Sequence, residues 1–408
     1  MSSEALKGIR VLDLSRILAA PFCAQLLGDL GAEVIKVERP GAGDDSRSYG
    51  PPFLDDADGN PTRDAGFYLS CNRNKRGMTV DHSKPEGAAL LRELAAKSDV
   101  FIENFRTGVL AKYGLDYESL KELNPRLIYC SITGFGQDGP YAARPGYDGV
   151  FQAMCGMMSV SGLPDGVPGG GPMKVGVSMV DILTGLYASS AILAALRHRD
   201  NSGEGQFIDM ALLDCGLASL SHYVQNYLIS GVVPERRGNG GFGGIPSQTF
   251  MCSDREIFIV ASTNKQFGAL TRVLGEPSLA SDPRFDQVQK RIMHRDELLA
   301  ILDSLFARRT ATEWLEALEA ADVPASPVND VAMVFDNPQV KHRAMLAHTH
   351  HPVAGDLPIL RNPIRMSATP IGEATPPPTL GQDNDAVLRD VLGYDDVRIA
   401  ALRAAAVL

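Results

Sequence analysis

Asp181 stands near the head of a long apolar run, VSMVDILTGLYASSAILAALRHRDNSGEGQFIDMALLD from Val177 to Asp214, among Met179, Val180, Ile182, Leu183 and Leu186. A carboxylate in such company is partly stripped of water, and desolvation turns a carboxylate into a usable nucleophile. The same position suits a quieter role. Ser178 precedes Asp181 by three residues, the spacing of a capping pair that satisfies free backbone N–H groups at a helix start. On the residues alone both roles stand.

A second set of residues suggests an anion site. Arg39, Lys75, Arg76, Arg106 and Lys112 fall in loops or helix starts close to β-branched runs, and each charge-assisted contact to a phosphate is worth about 1.5 to 3 kcal/mol. Taken singly, each is also an ordinary solvated charge. Phe105, next to Arg106, is placed either to stack on a purine or to pack in a core. Gly240-Gly241-Phe242-Gly243-Gly244 reads as a flexible linker or as a mobile cover whose backbone can approach a reactive carbonyl closely. Asp148, after Pro145-Gly146-Tyr147, reads equally as a helix cap and as a catalyst. The histidines His342, His348, His350 and His351 have no cysteine nearby and only Asp356 as an adjacent acid, so no metal site is expected.

The elements that must position these residues alternate between strand and helix. Arg10 to Leu14, Glu33 to Val37, Met78 to Val80, Val100 to Ile102, Leu127 to Ile132 and Gln206 to Met210 read as strands. Ala20 to Leu30 and Pro85 to Ala96 read as helices, with Pro21 tolerated in a first turn. The alternation predicts a Rossmann-like parallel α/β sheet. Ligands bind beyond the carboxyl ends of such strands, which directs attention to Asp13 to Arg16, Glu38 to Arg39, Glu103 to Arg106 and Thr133 to Phe135. The first βα turn, DLSRILAAP, lacks the glycine fingerprint of a dinucleotide site.

With 408 residues, the chain is long enough for two domains. Residues 1–225 are expected to begin a large α/β domain and 226–330 to form a small α+β domain. That second part holds a hairpin, Gln248 to Cys252 with Ile257 to Ala261, and helices near 264–274, 293–307 and 311–321. The Pro-rich stretch 331–380 reads as a linker, and 381–408 as two helices returning to the large domain. Net charge of −10 argues against nucleic acid or an anionic membrane as partner. The six cysteines are scattered without a close pair, and the N-terminus carries no apolar leader, so a cytoplasmic protein with neither zinc nor disulfides is expected. No run of roughly 18 apolar residues is read as a membrane span.

Several long motifs together carry a resemblance. LKGIRVLDLSRILAAPFCAQLLGDLGAEVIKVERPGAGD, NRNKRGMTVD, VFIENFRTGVLAKYGLD, NPRLIYCSITGFGQDGPYAARPGYD, the Asp181 to Asp214 segment, VPASPVNDVAMVFDNPQV and PPPTLGQDN are similar to the class III CoA-transferases, nearly end to end. That family includes formyl-CoA transferase, carnitine CoA-transferase and the α-methylacyl-CoA racemase branch. The resemblance implies that Asp181 accepts the acyl group and that Arg39, Lys75, Asn104, Phe105, Arg106 and Lys112 hold coenzyme A. It further implies an interlocked homodimer, an acyl-CoA donor and a carboxylic acid acceptor, with coenzyme A as substrate and no tightly bound cofactor. Gly240, Gly241, Gly243 and Gly244 would close over the reacting carbonyl, and Gln137 or Tyr147 would orient the acid. The chain departs from the pattern at Lys112, where an arginine fork is usual, at Asp322, where a glycine is usual, and at Phe242, which interrupts the glycine loop. Tyr147 stands where the racemases carry a histidine base; a phenol with a pKa near 10 accepts protons poorly at pH 7, so transfer is expected over racemisation. The C-terminal half looks most like members that move CoA between dicarboxylic acids such as succinate and glutarate, with Arg236, Arg237 or Arg144 as candidates for the distal carboxylate. The mechanism implied has Asp181, ionised at neutral pH, pass through a mixed anhydride and an enzyme-bound thioester.

Overall fold

A computed structural model of the chain describes residues 4–241 and 243–408. The chain separates into two compact units. The first runs to Met157 and adds Val175–Gly231 and Lys341–Leu408; the second holds Met158–Lys174 and Val232–Val340.

Six parallel strands form the centre of the first unit: β1 (Arg10–Asp13), β2 (Glu33–Glu38), β3 (Lys75–Thr79), β4 (Val100–Glu103), β5 (Ile128–Thr133) and β6 (Phe207–Ala211), in the spatial order β3-β2-β1-β4-β5-β6. Successive side chains of a strand point to opposite faces, and β1 shows the consequence. Val11 enters one core cluster and Leu12 the other. On the Val11 side lie helices α1 (Ala19–Asp29), α3 (Asp148–Met154), α4 (Met179–Ser202) and α5 (Leu212–Ser219), which bring Cys23, Leu27, Phe151, Val180, Ile192 and Leu212 into the core. On the other side α2 (Pro85–Ala96) contributes Leu90, Leu91 and Leu94, joined by Val387, Leu388 and Ile399 of the two closing helices Asn384–Leu392 and Asp396–Ala404. With both faces covered, the strands read as nearly continuous apolar runs, the signature of a buried parallel sheet.

The position of Asp181 is fixed by a close helix crossing. A Cβ at Gly185, one turn beyond Asp181, would lie 2.7 Å from the Ala19 carbonyl oxygen and 3.0 Å from the Phe22 ring. Only a glycine lets the backbones of α4 and α1 approach this far. Contrary to expectation, α4 is long and apolar enough, by length and composition, to cross a membrane, although 44% of its most apolar window is buried inside the chain. Its sequence escapes a scan for unbroken apolar runs because Asp181, Thr184, Ser189 and Ser190 interrupt it.

Two expected boundaries differ. Residues 158–174, read as part of the large domain, group with the second unit. The stretch 331–380 is not a free linker: it forms the short helices Val331–Asp336 and Pro338–His342, then a hairpin of Leu346–His351 against Gly355–Leu360. Beyond residue 341 it is strapped to the first unit, where Asn362 donates to Asp29 at 2.7 Å and the Thr375 N–H to Asn74 at 2.7 Å. The strap leads to the edge strand β3. There the side chains of Asp383 and Asn384 accept from the N–H groups of Gly77 and Thr79 at 2.7 and 2.8 Å, closing an edge that would otherwise offer itself for pairing.

The second unit has its own core. The antiparallel strands Ser247–Met251 and Glu256–Val260 pair with each other, and Ala325–Pro327 joins the second of them. Helices Asn264–Val273, Arg295–Phe306 and Ala311–Ala320 pack Phe267, Leu302, Phe306 and Trp314 against Phe250, Ile257 and Ile259. Two of these helices begin with complete capping boxes, Thr263 with Gln266 and Thr310 with Glu313, a spacing legible in the sequence.

Candidate active site

The strand order reverses direction at β1, with β2 on one side and β4 on the other. At such a switch point the loops leaving the two central strands diverge and open a crevice at the carboxyl end of the sheet. A cavity of about 270 Å³ opens here, lined by Arg16 to Ala19 after β1, Asn104 to Thr107 after β4, Thr133 and Gly134 at the end of β5, Arg144 to Tyr147, and Asp181. Phe151 holds two of these walls together: a Cβ at Gly134 would come within 2.6 Å of its ring, and one at Gly146 would collide with it.

The loop after β1 is held by buried charges. Lys36 donates to the Ser15 carbonyl oxygen and to Asp44, both at 2.9 Å, while Asp44 accepts from the Ile17 N–H at 3.1 Å. Ile17 takes a φ of 73°, a left-handed conformation that is costly for a β-branched residue and persists only where its surroundings over-determine it. This bend turns Leu18 and the start of α1 toward the cavity, where the first N–H groups of a helix have no intrahelical partner. Asn104 clasps the same loop from the β4 side, accepting from the Arg16 N–H at 2.9 Å and donating to the Arg16 carbonyl oxygen at 2.7 Å.

Asp181 is 9% exposed. Its carboxyl is pushed up from 3.8 to about 7, first by burial and then by the nearby charge of Asp148. A carboxyl at that value is about half ionised at neutral pH, which corrects the expectation, drawn from an ordinary aspartate, of a fully ionised group. The Ser178 side chain does not cap α4. That task falls to Asp148, whose Oδ1 accepts from the N–H groups of Val180 and Asp181 at 2.8 and 3.3 Å, while its Oδ2 accepts from Gln152 at 2.7 Å. Because Asp148 caps the helix, the Asp181 carboxyl is not needed for capping.

With this geometry in view, comparison with known proteins is decisive. The model of CoA-transferase family III matches residues 6–384. The chain belongs to CoA-transferase family III. Among its relatives are the succinyl-CoA:glutarate CoA-transferase of Homo sapiens, 42% identical over 99% of this chain and 90% of that protein, and the succinate–glutarate CoA-transferase of Agrobacterium fabrum, 45% identical over 95% of each. A crystal structure of a CAIB/BAIF family protein from Brucella suis superimposes with a TM-score of 0.86, at 44% identity, covering 96% of this chain and all of that one. As a member of family III the protein is a CoA-transferase.

The remaining expected site residues of this family III chain are distributed unevenly. Asn104, Phe105, Arg106 and Tyr147 line the Asp181 cavity. Arg39 lies nearby, its side chain 61% exposed and 3.8 Å from Asp45, on a smaller cavity shared with Arg16, His82 and Phe105. His82 was not anticipated; its ring meets Phe105 edge-on at 5.3 Å and Tyr113 at 5.2 Å. Lys112 is exposed on the 3₁₀ turn Leu110–Tyr113, outside the Asp181 cavity.

Two assignments are overturned. Lys75 is not available to a phosphate: its side chain is fully buried, with Nζ donating to Asp13, the Pro21 carbonyl oxygen and Asn72, each at 2.9 Å. Three acceptors saturate an ammonium group. Arg76, named with it, pairs with Glu33 and Asp390. Gln137 does not orient Asp181. It donates to Ser131 at 2.8 Å and lines a neighbouring cavity with Glu103, Tyr117 and Phe207.

Gly240, Gly241, Gly243 and Gly244 belong to the second unit. Within that unit the Gly241 N–H donates to the Ser247 carbonyl oxygen at 2.7 Å, and Ser262 donates to the Gly244 carbonyl oxygen at 3.0 Å. Phe242 lies outside the described residues. Among the described residues no group of three or more His, Cys, Asp or Glu is arranged to hold a metal ion. His348 instead pairs with Asp356 at 2.8 Å.

Proposed function

We propose that this protein moves coenzyme A from a dicarboxylyl-CoA such as succinyl-CoA to a second dicarboxylic acid, with Asp181 as the acyl acceptor. The observation that carries this reading is a buried, uncapped carboxyl at the switch-point cavity of a family III chain. The names of the human and Agrobacterium fabrum relatives support the substrate class.

The ionised Asp181 attacks the thioester carbonyl, the C–S bond breaks, and the CoA thiolate leaves as a mixed anhydride forms. The thiolate then attacks the aspartyl carbonyl, expelling the donor acid as its carboxylate and leaving an aspartyl thioester. An acceptor carboxylate attacks that thioester and releases the thiolate, giving a second anhydride. The thiolate attacks the acceptor's acyl carbonyl and restores Asp181. Every nucleophile and leaving group is an anion, so no separate proton donor is needed. Free N–H groups at the start of α1 can stabilise the oxyanion, each such donor being worth roughly 10²- to 10³-fold.

Coenzyme A would lie across the two cavities that meet at Arg16 and Phe105. Phe105 and His82 offer aromatic edges to a purine, while Arg39, Arg106 and the more distant Lys112 supply charge for phosphates. The pairing of two chains as an interlocked homodimer is supported by apolar surface without a partner in the first unit. Leu186 and Tyr187 of α4 are 43% and 45% exposed, and helix His222–Ser230 buries no residue while presenting Tyr227, Leu228 and Ile229. Six free cysteines, all buried, suit the cytoplasm.

The test is incubation of wild type and Asp181→Ala with succinyl-CoA and glutarate, following glutaryl-CoA by mass spectrometry and trapping the acylated enzyme with hydroxylamine. Wild type should form glutaryl-CoA and a hydroxamate at Asp181. Undiminished transfer by the alanine variant, or no transfer to any acid by wild type, defeats the proposal.

A further inference from the structure

Three arginines line the Asp181 cavity, Arg16, Arg106 and Arg144, and their charges are not equally available. Arg16 gives Nη1 to Asp45 at 3.1 Å, so its charge is already answered. Arg106 lies between this cavity and a neighbouring one lined by Glu103, Asp116 and Glu118, and the proposed function already gives its charge to the phosphates of coenzyme A. Arg144 differs from both. Its guanidinium rests on the Tyr141 ring, 3.7 Å from the centroid, and forms no ion pair with any described carboxylate.

The other candidates for a distal carboxylate fall away. Arg236 is paired with Asp165 and donates to the carbonyl oxygens of Ser159 and Leu163 within the second unit. Arg237 shares that unit and has partners of its own.

The substrate chemistry explains why an unanswered cation matters. When one carboxylate of a dicarboxylic acid attacks the acyl group on Asp181, the other enters the same cavity as a second negative charge. A planar guanidinium held against a ring is pre-organised to take it in two parallel hydrogen bonds, which a monocarboxylate does not require. We infer that Arg144 binds the distal carboxylate of the dicarboxylic acid and thereby selects dicarboxylates. This rests on the CoA-transfer reading above.

The test compares glutarate with its monoamide, which has the same shape but a neutral distal end, as acceptors from succinyl-CoA. In a ping-pong reaction kcat/KM for the acceptor reports only the second half-reaction, so effects on the donor drop out of the ratio. Arg144→Gln should lower the ratio of kcat/KM for glutarate over the monoamide at least tenfold, with Arg144→Lys falling between it and wild type. Should Arg144→Gln fail to fold, Arg144→Met keeps the aliphatic stem and is read in the same way. A ratio within threefold of wild type overturns the assignment. A wild-type enzyme that transfers CoA to neither acid overturns the reading beneath it instead.

Discussion

Replacing Asp181 by asparagine should stabilise the fold, and increasingly so as the pH rises. Burial, with the charge of Asp148 second, raises this carboxyl from 3.8 to about 7 in the folded chain. The folded state therefore holds the proton more tightly than the unfolded state. Between those two values, raising the pH costs stability, and the loss stops once the folded-state carboxyl has itself ionised. At 1.36 kcal/mol per pH unit the full penalty is about 4 kcal/mol, present above about pH 8, with about 2 kcal/mol already present near pH 5.5. Asparagine has no proton to lose. The stability difference between Asp181→Asn and wild type should therefore widen by about 2 kcal/mol between about pH 5.5 and 8.5, then level off. Parallel urea unfolding of both proteins across that range measures it. A difference that does not change with pH, or that narrows as pH rises, would refute the account of Asp181 as a desolvated carboxyl.

Two further perturbations follow from the same geometry. If Asp181 attacks as its carboxylate, as proposed, kcat/KM should have a rising limb near pH 7, and Asp148→Asn should move that limb to lower pH by removing a neighbouring negative charge; a shift to higher pH in the pH–rate profile counts against the pairing. Lys75→Met should destabilise the chain by about 3 to 5 kcal/mol, because the fully buried Asp13 is left without its counterion. A urea midpoint equal to that of wild type would restore Lys75 to the list of residues free to bind a ligand.

The sheet was legible because its strands obey a simple rule. Buried on both faces, they appear as apolar runs at regular intervals, and helix Pro85–Ala96 begins at a proline suited to a first turn. The strand ends that the topology marks, Arg16, Asn104 to Arg106 and Thr133, do line the Asp181 cavity. What escaped the sequence was the state of each charge. Lys75 and Arg106 look alike in a string of letters, yet one is locked against Asp13 and the other lies on a rim. Asp148 could be recognised as a cap, but not as the cap of a helix that begins some thirty residues later. The strap after residue 341 reads as a linker in the sequence because its hydrogen bonds run to Asp29 and Asn74, partners more than 300 positions away.

The raised value of Asp181 bears directly on the proposed chemistry. Moving an acyl group from sulfur to a carboxylate is uphill when the carboxylate is much the weaker base, and a free thiol near 8.5 is far more basic than a free aspartate near 3.9. A carboxyl brought to about 7 closes most of that gap. In the proposed mechanism such a carboxyl is only partly ionised at neutral pH, while its greater basicity favours attack on the thioester and slows loss of the acyl group to the returning thiolate. Asp148 contributes twice to this outcome. Its Oδ1 satisfies the N–H groups at the head of α4, which frees the Asp181 carboxyl from capping, and its charge adds to the desolvation that burial imposes. A neutral cap at the same place would position Asp181 equally well but leave it a weaker base. In the proposed mechanism the acid at position 148 therefore tunes Asp181 as well as holding it in place.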